Sequence, residues 1–139
     1  MTSMELNVIE LLSKLESLRT EFDAFKTNEV VVETPTWEAP SFIGGWTDYD
    51  SSHEVSYSEA NGRVHMKGWM KDGSLASAAF TLPTGYRPSQ SLRFPVYTYS
   101  GGTVSIGSLR IDTDGSVIPN TGYTDIFSVD NVIFWADGS

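Results

Sequence analysis

NGRVHMKGWMKDG, residues 61–73, decides how most of this chain folds. It opens on Asn61-Gly62 and closes on Asp72-Gly73, dipeptides suited to the positive φ values of tight turns. Between them the side chains alternate. Val64, Met66, Gly68 and Met70 fall on one face, and His65, Lys67, Trp69 and Lys71 on the other. The expectation is one half-buried antiparallel strand, Arg63–Lys71, held between two turns.

Reading outward, the same grammar repeats. His53–Ser58 alternates, with Val55 and Tyr57 on one face, and a later strand ends at Phe80 and Leu82. Leu82–Pro88 reads as a rigid architectural loop, in which Pro83 and Pro88 restrict φ and Gly85 supplies a positive one. Arg93–Tyr99 places Phe94 and Val96 opposite Tyr97 and Tyr99. Gly101-Gly102 then turns the chain into Thr103–Ile111, where the apolar phase changes from Val104/Ile106 to Leu109/Ile111. A β-bulge at Gly107 is the simplest account. Asp114-Gly115 closes another hairpin. The last strand, Phe127–Trp135, is apolar on both faces near its end, which predicts burial on both sides. The sandwich core would cover one side and a neighbouring subunit the other, with Val132 and Phe134 at the subunit contact. Short strands at this spacing predict a mainly β fold, an antiparallel β-sandwich or jelly-roll head over residues 44–139.

The first twenty-eight residues follow a different period. Met1, Met4, Val8, Leu11, Leu15, Leu18, Phe22 and Phe25 occupy successive a and d positions of a heptad frame. A repeat of 3.5 residues makes a narrow seam suited to self-association. Thr2 and Glu5 fit a capping box at its start, and the helix runs to about Lys26. Residues 1–28 are thus expected to form an N-terminal α-helical coiled coil, followed by a linker over 29–43 in which Val30-Val31-Val32 makes a short strand. The β-branched a positions that favour dimers are scarce, and Phe22 and Phe25 are bulky, so the composition leans to a homotrimer. Met4, Val8, Leu11, Leu15, Leu18, Phe22 and Phe25 would hold it together. Leu6 and Ile9, outside the seam, are candidates for contact with a partner protein or for simple exposure.

Charge narrows the function. The chain carries −9 overall, which argues against a nucleic-acid partner, since phosphate binding needs a cationic surface. Residues 1–28 contribute five acids and three bases, and residues 29–139 thirteen acids and six bases, so the head holds most of the excess. Cysteine is absent, which removes disulfides and thiolate metal sites. The opening residues lack a basic n-region and any apolar run long enough for a bilayer, so neither a signal peptide nor membrane insertion is expected.

The order of GGWTDYD, NGRVHMKGWMKDG, FTLPTGYRPSQSLRFPVYTY, LRIDTDGSVIP and SVDNVIFWAD, over residues 44–136, resembles the C-terminal β-domain of many tailed-phage tail, fibre and other virion surface proteins. Its most specific piece is Phe80–Pro88, FTLPTGYRP. The resemblance implies trimeric heads around a three-fold axis behind a coiled or fibrous stem. It also implies a protein assembled in the host cytoplasm and exposed on the particle surface. With only a short coil ahead of the head, a compact knob is expected rather than a long fibre.

No catalytic constellation stands out. His53 and His65 are the only histidines and no ligand spacing accompanies them, so no metal is expected. Asp112-Thr113-Asp114-Gly115 lacks the later ligands of a calcium loop and reads as a turn. Asp48 and Asp50 flank Tyr49, but two carboxylates two residues apart in a loop do not make a glycosidase pair. The chain is therefore expected not to be an enzyme and to need no cofactor. Trp69, Tyr97, Tyr99 and Tyr123, with Asp48 and Asp50, are the candidate ligand-binding residues, because amphipathic rings beside polar groups suit sugars and proteins. Two functions follow: a trimeric fibre or tail-tip knob whose head binds host-surface polysaccharide or protein, or a capsid decoration or head-fibre protein docked by its N-terminal helix.

Overall fold

The computed structural model describes residues 3–29 and 34–138, with side chains over 8–22 and 34–138. The chain divides into two compact units, Met1–Glu33 and Thr34–Ser139.

The first unit contains one helix, α1 (Ser3–Glu29), three residues longer than the heptads alone suggest. Every described side chain on it is exposed. Val8, Leu11, Leu15, Leu18 and Phe22 are each more than half exposed, and so are Ile9 and Leu12. The remaining seam residues Met4 and Phe25, Leu6, the capping pair and the Val30–Val32 strand lie outside the residues whose side chains or structure are described.

The second unit contains ten strands: β1 (Thr47–Asp48), β2 (Ser56–Ala60), β3 (Arg63–Lys67), β4 (Trp69–Lys71), β5 (Phe80–Thr81), β6 (Leu92–Ser100), β7 (Thr103–Ile111), β8 (Ser116–Thr121), β9 (Ile126–Ser128) and β10 (Val132–Trp135). All described pairings are antiparallel. They form a seven-stranded sheet in the order β1-β4-β9-β6-β7-β8-β5 and a three-stranded sheet in the order β10-β3-β2. This is the expected antiparallel architecture, divided seven and three.

The decisive stretch does not stay in one sheet. Alternation persists through it, with Val64, Met66 and Met70 fully buried, but at Gly68 the chain leaves the small sheet for the large one. Gly68 has φ +111°, and a Cβ there would collide with the Glu54 carbonyl and Val55 Cα. Only glycine permits both that backbone and that approach. One run of alternating residues therefore serves two sheets, and Trp69 begins the second.

A single core joins them. Val55, Tyr57, Val64, Met66, Val132 and Phe134, on or beside the small sheet, meet Met70, Phe80, Leu109, Ile111, Val117 and Phe127 of the large sheet. Tyr57 stacks on Phe80 at 6.2 Å, and Phe94 meets Phe134 at 6.3 Å. Each such side chain contributes about 1.5–3 kcal/mol by leaving water.

Three expectations need correction. Val132 and Phe134 are core residues of their own chain, 2% and 6% exposed, and so are not available to a neighbouring subunit. The exposed residues of β10 are Ile133 and Trp135, because alternation persists to the end of the strand. The phase of β7 does not flip at Gly107. Val104 and Ile106 are simply exposed on the outer face, and the irregularity falls between Ser108 and Leu109, which face Thr121 and Pro119 across one extra residue of β8. Gly107 instead serves close packing, since a Cβ would collide with the Thr121 carbonyl. Third, residues 34–43 fold with the head rather than as linker. Glu38 and Tyr57 exchange backbone hydrogen bonds of 2.8 and 3.0 Å, and Ile43 N–H donates to the Ala79 carbonyl at 2.7 Å.

The Leu82–Pro88 loop is held by its own groups. Arg87 Nε donates to the Leu82 carbonyl at 2.9 Å and Tyr86 N–H to that of Pro83 at 3.1 Å. Gly85 has the anticipated positive φ, +94°. Tyr86 lies edge-on to Tyr57 at 5.3 Å, and burial followed by the nearby Glu38 carboxylate raises its phenol pKa.

Candidate functional site

Four rings gather where β4 begins. Trp69 takes its place from the backbone. Its N–H donates to the His53 carbonyl at 2.9 Å, and its own carbonyl accepts from Tyr49 N–H at 2.9 Å. Both residues that bond its main chain also bring their rings to it. His53 lies flat on Trp69, with centroids 3.9 Å apart and planes 7° apart, while Tyr49 presents an edge at 5.6 Å. Tyr97, from β6, stacks on the same indole at 6.0 Å. These separations are those of favourable aromatic pairs.

Carboxylates hold the stack. Asp50 Oδ1 lies 2.7 Å from His53 Nδ1 and also accepts from Ser52 N–H at 3.0 Å. The His53 contact, more than any other, lowers the Asp50 pKa from its ordinary value. Asp48 Oδ1 accepts from Val55 N–H at 2.8 Å and so fastens the loop. Asp130, in the turn between β9 and β10, accepts from Trp69 Nε1–H at 2.9 Å.

The stack borders an open cleft of about 590 Å³, lined among others by Trp37, Asp48, His53, Glu54, Lys67 and Asp130, a volume within the range of small-ligand sites. Lys67 Nζ sits 4.1 Å from the Trp37 ring centre, a cation–π arrangement. His53 thus forms part of the cleft wall, and Trp69 backs it. The cleft can offer hydrogen-bonding groups beside aromatic surface, the combination that holds a polyhydroxyl compound.

Of the sequence candidates, Trp69, Tyr97 and Asp50 come together here, and Asp48 lines the cleft with one carboxylate oxygen engaged by the backbone. Tyr99 and Tyr123 do not join the stack. Among the described residues no ring contact links either to Trp69. Tyr123 N–H donates to Thr98 Oγ1 at 3.1 Å and its ring is partly exposed. Sequence reasoning missed His53, Tyr49, Trp37, Lys67 and Asp130. The clue for His53 and Tyr49 was their place in the loop that carries Asp48 and Asp50. Asp130, sixty-one residues from Trp69, gave none. Among the described residues no group of three or more His, Asp or Glu side chains is placed to hold a metal ion, and no helix is long and apolar enough to cross a membrane.

The chain shares its architecture with phage receptor-binding proteins and their head domains. It is similar to the crystal structure of the receptor binding protein gp15 of Listeria phage PSA, with a TM-score of 0.61 and 13% identity over 96% of this chain and 86% of that one. It is also similar to the head domain of lactococcal phage bIL170, with a TM-score of 0.53 and 14% identity over 73% of this chain and 98% of that one. At these identities the likeness is one of fold. No protein-family model and no curated protein matches the chain.

Proposed function

We propose that this chain is a phage virion protein, trimeric through the α1 seam, whose β head adsorbs the particle to a carbohydrate on the host surface without consuming it. The observation that carries the reading is the His53–Trp69 stack beside the cleft, in a fold shared with two phage receptor-binding proteins. Stacked rings match the apolar C–H face of a sugar, while the imidazole and carboxylates match its hydroxyls. Charge selects further. Among the described residues, Glu38, Asp48, Glu54 and Asp130 line the cleft against Lys67, so a neutral glycan is favoured over a polyanion. The exposed seam residues of α1 support the trimer, since an isolated helix with this much apolar surface in water is marginal. The exposed face of β7, with Val104 and Ile106, is a surface on which heads can pack.

The test is an array of purified bacterial surface polysaccharides probed with the full chain. Wild type is expected to bind neutral glycans, and His53→Ala and Tyr97→Ala to weaken binding about tenfold with the melting temperature preserved. Loss of binding to all glycans by the folded wild type, or release of sugar from them, would defeat the reading.

A further inference from the structure

The indole of Trp69 is held by more than its stacked neighbours, and the grip comes from a remote turn. Asp130 uses both carboxylate oxygens on two consecutive residues. Oδ1 accepts from Gly68 N–H at 2.8 Å and Oδ2 from Trp69 Nε1–H at 2.9 Å. Its own N–H donates to Ser128 Oγ at 3.1 Å. One residue earlier, Val129 N–H donates to the Gly68 carbonyl at 2.9 Å. The turn therefore fastens both backbone polar groups of the residue at which the chain changes sheet, and also the ring of the next residue.

We propose that Asp130 is the positioning residue of the ligand wall: it fixes the rotation of the Trp69 indole, and through that plane it fixes His53, which borders the cleft. The inference rests on the cleft being the ligand site. A tryptophan whose N–H had no fixed acceptor would keep rotational freedom about its side-chain bonds, and the His53 ring, only 3.9 Å away and nearly parallel, would lose its flat support. Asp50 holds His53 Nδ1 and Asp130 holds Trp69 Nε1, so each member of the stacked pair is anchored by its own carboxylate. Removing one anchor leaves the other ring without a defined partner plane. Charge-assisted hydrogen bonds of this kind are the stronger ones, and their geometry orients as well as attracts.

The variant that removes the indole's acceptor is Asp130→Asn, and because Asp130 also lines the cleft, the indole and His53 signals are read beside the affinity. Its amide oxygen still accepts from Gly68 N–H, while its NH2 group cannot accept from the indole. Trp69→Phe removes the donor from the other side and keeps a ring. In the full chain labelled with ¹⁵N, the Trp69 indole resonance of Asp130→Asn is expected to move and to exchange faster with water, and the ring-proton shifts of His53 to change in both variants. Affinity for the best neutral polysaccharide of the array is expected to fall about fivefold in Asp130→Asn, the order of one net hydrogen bond, with thermal unfolding nearly unchanged. An unmoved indole resonance would overturn the proposal, as would a moved resonance with undiminished affinity. A variant that fails to fold is replaced by Trp69→Phe, whose His53 shifts must then change or the inference fails. If wild type and His53→Ala bind every polysaccharide equally, the ligand reading falls instead, and the indole and His53 signals still decide whether Asp130 orients the stack.

Discussion

The helix, over residues 8–22, and the head have opposite relations to water. Each of Val8, Leu11, Leu15, Leu18 and Phe22 leaves more than half its surface exposed, whereas in the head Val64, Met66, Met70, Phe80, Leu109 and Phe127 are fully buried. Hydrophobicity is similar in kind in the two regions, and only its arrangement differs. A period of two, folded back by Gly-bearing turns, lets one chain cover its own apolar faces. A 3.5-residue seam on a lone helix offers nothing to close upon except further helices. The head is therefore specified within the chain, and a 3.5-residue seam is the pattern that association between chains would use.

The largest test of that contrast strikes the head. Phe80, buried against Phe42 and Tyr57, loses about 3–5 kcal/mol of stability as Phe80→Ala, the usual cost of emptying an aromatic core site. Calorimetry should show a large fall in the head transition, with the association of α1 retained. Leu15→Asp does the reverse. A charge in the middle of the seam is unfavourable by several kcal/mol wherever the seam is buried. Light scattering should then give a trimer for wild type and a monomer for the variant, while the head melts as before. A wild-type monomer or dimer would break the comparison.

Gly85→Val is smaller. The added Cβ meets no atom within 4 Å, so the cost is the φ of +94° alone, about 1–3 kcal/mol. A melting temperature left unchanged, with ligand binding lost, would make the Leu82–Pro88 loop part of the site. The smallest effect is acid titration of Asp50. Its folded pKa is lowered, chiefly by the hydrogen bond to His53, so its contribution is present above the ordinary aspartate range and is lost as pH falls through the lowered value. Carboxyl-carbon NMR should place its midpoint below that of a free aspartate, and His53→Ala should raise it toward the ordinary range.

The sequence carried the head's alternation, its turns and its core faces with fidelity, because period-two patterning and positive-φ dipeptides are local signals. Asn61-Gly62 and Gly101-Gly102 have the positive φ values their residues suggest. What it concealed was placement. Gly68 looks like one more inward residue of a strand, and nothing adjacent to it reveals that the chain changes sheets there. Val104 and Ile106 suggested a flip because an exposed apolar pair breaks the usual rule. The double-sided apolar run at 132–135 read as an interface, yet Val132 and Phe134 face their own core. For the site, Trp69, Tyr97 and Asp50 were legible as residue types. Their meeting with His53, and the hold of Asp130 on Trp69, depend on contacts across 16, 28 and 61 positions that no local spacing records.

Main-chain bonds set the backbone positions of Tyr49, His53 and Trp69 relative to one another. Residues 49 and 53 can be exchanged for others while their amides and carbonyls go on making the same bonds, so the scaffold survives changes that remake the cleft's surface. Single substitutions at these two positions can thus alter the chemistry of the cleft rim with the protein's capacity to fold left intact.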